Sequence, residues 1–323
     1  MGLLEGKVAI VTGAGGGLGR AYAKLFASEG AAVVANDFGG ARDGTSAGAS
    51  PTAQAVVDEI VADGGRAVAN AADVSSLEGG ASILKSALDA FGQVDILVNN
   101  AGILRDRTFA NTSETDWDAV IGVHLKGAYC VTHPVWTWMK DKGRGGVIVL
   151  TSSGSGLFGN FGQTNYGAAK AALWGMMRVL SIEGRKYGIR VWGLAPGAYT
   201  RMTSDLPGRR DREPDPASLP ENIAPGVLYM VSDLSGDQTG KMLGVSSRGV
   251  REIKMVQAKG FTPTVGWTAQ DLADRAGDVF FADAPADARG YLRRRRVSRA
   301  AGSRPVAGRP RRSRGCPRPC RGR

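Results

Sequence analysis

The chain has 323 residues, 43% of them hydrophobic, with 47 glycines, three cysteines and a formal net charge of +11. No apolar run approaches the ~20 residues that cross a bilayer, and three cysteines make no disulfide framework. A helical membrane protein and a disulfide-stapled scaffold are therefore excluded, and with no signal-like segment at the start a reducing cytoplasm is the expected setting.

Lys7-Val8-Ala9-Ile10-Val11 predicts a first buried strand. It runs into Thr12-Gly13-Ala14-Gly15-Gly16-Gly17-Leu18-Gly19, after which an amphipathic helix reaches to about Gly30. A glycine-rich turn between strand and helix offers bare N–H groups to an anion at the positive helix end. Any Cβ there would block close approach of a pyrophosphate, so Gly13, Gly17, Leu18 and Gly19 are candidate cofactor contacts. The second strand, Ala32 to Asn36, ends at Asp37. A carboxylate in that place accepts both hydroxyls of an adenosine ribose and repels a 2′-phosphate. Neither Gly16 nor Asn36 supplies a cation for that phosphate, so NAD is expected over NADP.

Gly39 to Pro51 reads as a polar loop, longer than the usual few residues. A helix over Thr52–Asp63, a strand over Arg66–Asn70 and then Asp73-Val74 follow, the acid placed to meet an adenine amino group. The next helix, Leu77–Phe91, leads to a strand over Val94–Val98 that ends in Asn99-Asn100-Ala101-Gly102. Amides and small side chains there can hold backbone against a ribose. A long helix beginning near Thr112 carries Trp117, Val120, Val123, Leu125, Tyr129 and Val131, with His124 among them.

Val147-Ile148-Val149-Leu150 predicts the central strand, which stops at Thr151-Ser152-Ser153. A glycine-rich loop separates it from a small-residue helix opened by Asn165-Tyr166-Gly167-Ala168-Ala169-Lys170. Tyr166 and Lys170 are four apart and share one helix face. A nearby ammonium favours a phenolate, which helps a tyrosine of ordinary pKa about 10 act as a base near neutrality. Ser153 can return across the loop to hydrogen-bond the same substrate oxygen, so the trio reads as an alcohol–carbonyl site.

A strand over Ile189–Ala195 is expected to break at Pro196-Gly197, beyond which Thr200 could reach a nicotinamide carboxamide. Thr203–Pro225 is Pro-rich and charged, as a mobile substrate lid would be. A helix over Val227–Ser232, a strand over Met242–Val245 and a last loop and short helix within Gly260–Phe281 complete the body. Seven strands alternating with helices predict one α/β domain over 1–284, a Rossmann-type doubly wound parallel sheet. Ligands gather at the C-terminal ends of such strands, where the residues singled out fall.

Beyond Pro285 fourteen arginines face one acid, so the excess charge sits in residues 285–323 and the body is near neutral. That segment is expected to be a disordered arm. Without aromatic residues after Tyr291 it has no base-stacking platform for nucleic acid. Cys316 and Cys320 are too few for a zinc site.

Taken together, TGAGGGLG, NNAG, Ser153, YGAAK and the following PG resemble the short-chain dehydrogenase/reductase family over about residues 1–280. ILRDRTF (103–109), VHLKG (123–127), GLFGNFGQTNY (156–166) and VLYMVSDLSGDQTG (227–240) are similar to the (3R)-hydroxyacyl-CoA dehydrogenase part of the multifunctional β-oxidation enzymes. The resemblance implies Tyr166 as catalytic acid/base, Lys170 as holder of the nicotinamide ribose and Ser153 as the residue that orients the substrate oxygen. Where the family usually has an asparagine this chain has His124. The resemblance also implies a small-molecule substrate, no membrane, and a homodimer or homotetramer built through the long helices. Rival readings are a dehydrogenase of hydroxysteroids or other bulky ketones, and an NAD-sensing or nucleic-acid-associated binding protein.

Overall fold

A computed structural model describes residues 2–45, 51–200 and 215–281. The chain divides into two units, Met1–Val256 and Gln257–Arg323, and the whole sheet belongs to the first. Its β-branched apolar runs become β1 (Val8–Thr12) and β2 (Ala32–Asn36), both buried at every residue. Between them lies α1 (Gly17–Ser28), and after them α2 (Thr52–Ala62), β3 (Arg66–Asn70), α3 (Leu77–Phe91) and β4 (Ile96–Asn99). Two helices, α4 (Glu114–Ile121) and α5 (Gly127–Lys142), precede β5 (Gly146–Thr151). Then come α6 (Gly154–Phe158), α7 (Thr164–Glu183), β6 (Ile189–Gly197), α8 (Ala224–Val231), β7 (Met242–Ser246) and β8 (Gly249–Ile253).

The strands lie in the order β3-β2-β1-β4-β5-β6-β7-β8, parallel except for the last. The switch point, where successive strands leave β1 in opposite directions, falls between β1 and β4. Side chains alternate across the sheet, as the period of two requires. Ala9 and Val11 enter the layer with Tyr22, Phe26, Val56 and Val227, whereas Val8 and Ile10 enter the layer with Ile83, Val131, Met139 and Leu173. Helices therefore cover both faces, and each side of β1 is fully dry.

Three expectations change. The sheet has eight strands rather than seven, because the charged segment Gly249–Ile253 turns back antiparallel on β7. Its residues are mostly exposed, so it has none of the apolar signature of a buried strand. Pro196 does not end β6, which continues to Gly197. The ladder to β5 stops at Thr151↔Leu194, so Pro196 pairs only with β7 and its missing N–H is tolerated there. The long helix is interrupted at Gly122–Lys126 by a wide π-helical turn that carries His124.

Of the expected lid, residues 201–214 lie outside the described residues, and Pro216–Ser218 and Pro220–Asn222 are short helical turns. Residues 46–50 of the long loop and the arginine-rich segment 285–323 also lie outside them. In the second unit, α9 (Ala269–Asp274) starts at a Thr268–Asp271 capping box and is followed by α10 (Ala276–Val279). The Arg275 guanidinium sits over the Phe261 ring, which meets Trp267 edge to face. Among the described residues no helix is long and apolar enough to cross a membrane, and no cluster could hold a metal ion.

Candidate active site

The glycine turn after β1 is tight because neighbouring backbone leaves no room for side chains. A Cβ on Gly19 would stand 2.1 Å from the carbonyl oxygen of Gly13, and one on Gly13 would stand 2.8 Å from Ala101 Cα. Gly13 and Gly17 also take positive φ values of 65° and 52°, which glycine adopts without strain. Above Gly16 the space is open. α1 has no side-chain cap and no acid in its first turn, so among the described residues no carboxylate of that turn competes for the opening N–H groups around Gly17, Leu18 and Gly19. These features fit a dinucleotide pyrophosphate.

Asp37 stands at the end of β2, half-buried, with Oδ2 accepting from Gly15 N–H (2.9 Å) and Oδ1 from Gly39 N–H (2.8 Å) and the Thr52 hydroxyl (3.2 Å). Its carboxylate is thus locked beside the glycine turn. Asn100 ties that turn to β4, donating to the carbonyls of Thr12 (3.1 Å) and Gly13 (3.3 Å). The Thr12 hydroxyl accepts from the N–H groups of Asn100 and Ala101. Thr200 lies across the turn, near the place a Gly17 side chain would occupy. Gly197 abuts Ser246. Asp73 gives both of its oxygens to Ser75, while Val74 is buried against Gly127.

On the other side of the switch point, α6 packs so closely on α7 that a Cβ on Gly156 would meet the backbone of Lys170 and Ala171. This contact brings the Ser153 turn against the helix that carries Tyr166 and Lys170. Ser153 caps α6, its oxygen accepting from Ser155 N–H at 3.2 Å. Lys170 is 4% exposed and its Nζ donates to the Thr151 carbonyl at 2.5 Å. Burial pushes the ammonium down from 10.5 to about 7, because a dry surrounding disfavours charge. Nζ lies 5.8 Å from the centre of the half-buried Tyr166 ring.

His124 meets that ring edge to face with centroids 5.1 Å apart. It is 3% exposed, and burial, with the Lys170 charge adding, holds its imidazole well below the usual range. Nε2 lies 2.8 Å from the carbonyl oxygen and 3.1 Å from the N–H of Ile103, so the neutral ring grips that residue in either tautomer. Nδ1 is buried without a partner among the described residues. Gly102 makes the approach possible, since a Cβ there would stand 2.3 Å from the ring. A small pocket of about 10 Å³ beside His124 and Lys170, lined also by Thr12, Val74 and Asn99, has room for about one water.

The structure thus brings Tyr166, Lys170 and His124 together and sets Gly13–Gly19, Asp37 and Asn100–Gly102 beside one another. Sequence reasoning passed over three supporting residues: Thr12, the Thr151 carbonyl and Ile103. Thr12, the last residue of β1, was legible as a hydroxyl at a strand end. The other two act through backbone atoms, which no residue type signals.

A short chain dehydrogenase family model matches residues 7–210. A Mycobacterium tuberculosis protein named as a short-chain type dehydrogenase/reductase is 47% identical over 276 residues, 85% of this chain and 94% of its own length. Peroxisomal multifunctional enzyme type 2 of Mus musculus is 46% identical over 256 residues, 79% of this chain and 34% of that enzyme. Among solved structures, a short chain dehydrogenase from Mycobacterium avium superposes with a TM-score of 0.75 at 42% identity, covering 87% of this chain and 98% of that one. Carveol dehydrogenase from Mycobacterium avium in complex with NAD gives 0.69 at 29% identity, covering 76% and 98%.

Proposed function

Because the chain belongs to the short-chain dehydrogenase/reductase family, and is an oxidoreductase of it, we propose that it oxidises the secondary alcohol of a 3-hydroxyacyl-CoA with NAD, or reduces the corresponding 3-ketoacyl thioester. The observation that carries the reaction type is the cluster of half-buried Tyr166 with buried Lys170 and His124 beside the Ser153 turn, at the C-terminal ends of β4 and β5. The substrate class rests on the resemblance of ILRDRTF and GLFGNFGQTNY to the (3R)-hydroxyacyl-CoA dehydrogenases. It is supported by the 46% identity to the multifunctional enzyme, of which this chain spans 34%.

In this reading Gly13, Gly17, Leu18 and Gly19 hold the pyrophosphate and Asp37 the adenosine ribose, its charge opposing a 2′-phosphate. Asp73 and Val74 flank the adenine. Asn100, Ala101 and Gly102 back the nearer ribose, with Pro196, Gly197 and Thr200 on the nicotinamide side. Bound NAD supplies the hydride acceptor. Tyr166 takes the hydroxyl proton as charge develops on the substrate oxygen, and Ser153 donates a hydrogen bond to that oxygen. Lys170 holds the ribose and, when protonated, favours the phenolate. His124 acts as a neutral group that fixes the Ile103 backbone and offers Nδ1 to a single water.

Family precedent and the exposed apolar side chains Tyr129 on α5 and Val179 and Ile182 on α7 favour a homodimer or homotetramer. A reducing cytoplasm suits the buried free thiol of Cys130. The similarity to carveol dehydrogenase favours a second reading, a bulkier cyclic alcohol as substrate. NADH formation across (3R)-hydroxyacyl-CoAs, hydroxysteroids and cyclic terpene alcohols decides between them. Turnover confined to the thioesters is expected; turnover confined to the cyclic alcohols overturns the first reading.

A further inference from the structure

The segments ILRDRTF and GNFGQTNY, the second ending at Tyr166, meet in space. The strap 103–107 crosses from Arg42 and Asp43, in the loop after β2, to the start of α7. Its Leu104 N–H donates to Arg42 O (3.0 Å) and its Arg105 Nε to Asp43 O (2.7 Å). Farther along, Arg107 pairs in a parallel bridge with Gln163. Gln163 is 6% exposed and stands immediately before α7, three residues from Tyr166. Its carbonyl accepts from Gly167 N–H at 2.7 Å, closing the first helical turn.

Both ends of the Gln163 side chain are used. Nε2 donates to Asp106 Oδ2 at 2.8 Å, and Oε1 accepts from Asn160 Nδ2 at 2.9 Å. A carboxylate only accepts, so Asp106 dictates which way the glutamine amide faces, and the glutamine in turn orients Asn160. The hydrogen bonds therefore run in one direction, from Asn160 through Gln163 to Asp106. Asn165, 1% exposed, adds a second tie: it donates to Arg105 O at 3.2 Å and accepts from Tyr166 N–H at 2.8 Å. Asp106 Oδ1 is buried without a partner among the described residues. Burial pushes the carboxyl up, against the pull of Gln163 and the Arg42 and Arg107 charges. A buried acceptor left unpaired is unfavourable and calls for a reason.

We propose that Asp106 and Gln163 are a positioning pair that fixes the first turn of α7, and with it Tyr166, against the strap gripped by His124. The inference rests on Tyr166 being the acid/base of the reaction proposed above. Neither side chain touches the glycine turn or Asp37 in the hydrogen bonds described, so the pair acts on turnover and leaves cofactor affinity alone.

The test is a swap in the full chain. Gln163→Glu sets two carboxylates face to face. Asp106→Asn combined with Gln163→Glu rebuilds the chain with the middle hydrogen bond reversed, the new amide donating to the new carboxylate. Gln163→Glu is expected to lower kcat about 10- to 100-fold, with the Kd for NAD within about threefold of the parent and kcat in the double variant restored to within about threefold. Unchanged kcat in Gln163→Glu, or a folded double variant no better than that single one, overturns the proposal. Should Gln163→Glu fail to fold, Asp106→Ala replaces it. A fall in kcat at unchanged Kd then supports the pair, and a loss confined to Kd overturns it. If the parent turns over no substrate in the panel, the proposed function fails by itself. The pair is then read by hydrogen exchange over residues 164–170, where protection lost in Gln163→Glu and regained in the double variant supports it, and lost in both overturns it.

Discussion

The two sides of the switch point differ in how far burial perturbs their titratable groups. On the cofactor side the polar groups are paired with backbone: Asp37 with Gly15 and Gly39, Asn100 with Thr12 and Gly13. On the catalytic side, Lys170 and His124 are buried beside a one-water pocket, where burial lowers the basicity of both and leaves His124 Nδ1 unpaired among the described residues. A site that must recognise a constant ligand is pre-paired and rigid. One that must move a proton keeps titratable groups away from water, where small changes shift their charge.

The contrast breaks hardest at Tyr166. Tyr166→Phe is expected to lower kcat by about 10²–10⁴-fold while NAD affinity, read by fluorescence titration, stays at the parent value. Substantial residual turnover in that variant would end the assignment of the phenol as acid/base. Lys170 comes next. Its folded pKa near 7 lies below the unfolded 10.5, so the unfolded chain binds more protons between those values. Stability should therefore rise as pH climbs from about 7 to 10, by at most about 1.4 kcal/mol per pH unit, in denaturant unfolding. Lys170→Met should flatten that slope.

Asp37 probes the other side. Asp37→Ala removes the carboxylate beside the glycine turn, and NAD affinity measured by calorimetry should fall about 10- to 100-fold, corresponding to about 1.4–2.8 kcal/mol. Discrimination against NADP should narrow, with kcat little changed once NAD is saturating. The smallest effect belongs to His124. Its folded pKa lies well below 6.5, so the unfolded chain takes up the proton first and stability falls as pH drops through about 6.5. His124→Gln should remove that acid sensitivity, and a parent whose unfolding midpoint is level from pH 7 to 5 would contradict it.

Most of the sheet was readable because its signals are local. β2, β3 and α3 occupy the expected residues, Ala32–Asn36, Arg66–Asn70 and Leu77–Phe91. β8 was not readable, since an exposed edge strand carries Arg251 and Glu252 where a buried strand would carry valines. Asp73 shows the limit of a single residue type: a carboxylate near an adenine and one capping a turn look alike, and each Asp73 oxygen that accepts from Ser75 keeps a second lone pair for the adenine contact proposed above.

What the amino-acid order determined by itself is therefore the alternation of strands and helices, the glycine turn, and Tyr166 one helical turn from Lys170. These depend on spacing along the chain, and spacing survives in any fold. That Lys170 is dry, that His124 clasps Ile103, and that Asp106 reaches Gln163 across 57 residues were decided only when the segment after β4, the turn carrying His124, β5, α6 and α7 packed together. Burial and long-range pairing are properties of assembled neighbours, and the charge state of a side chain follows from those neighbours rather than from its name.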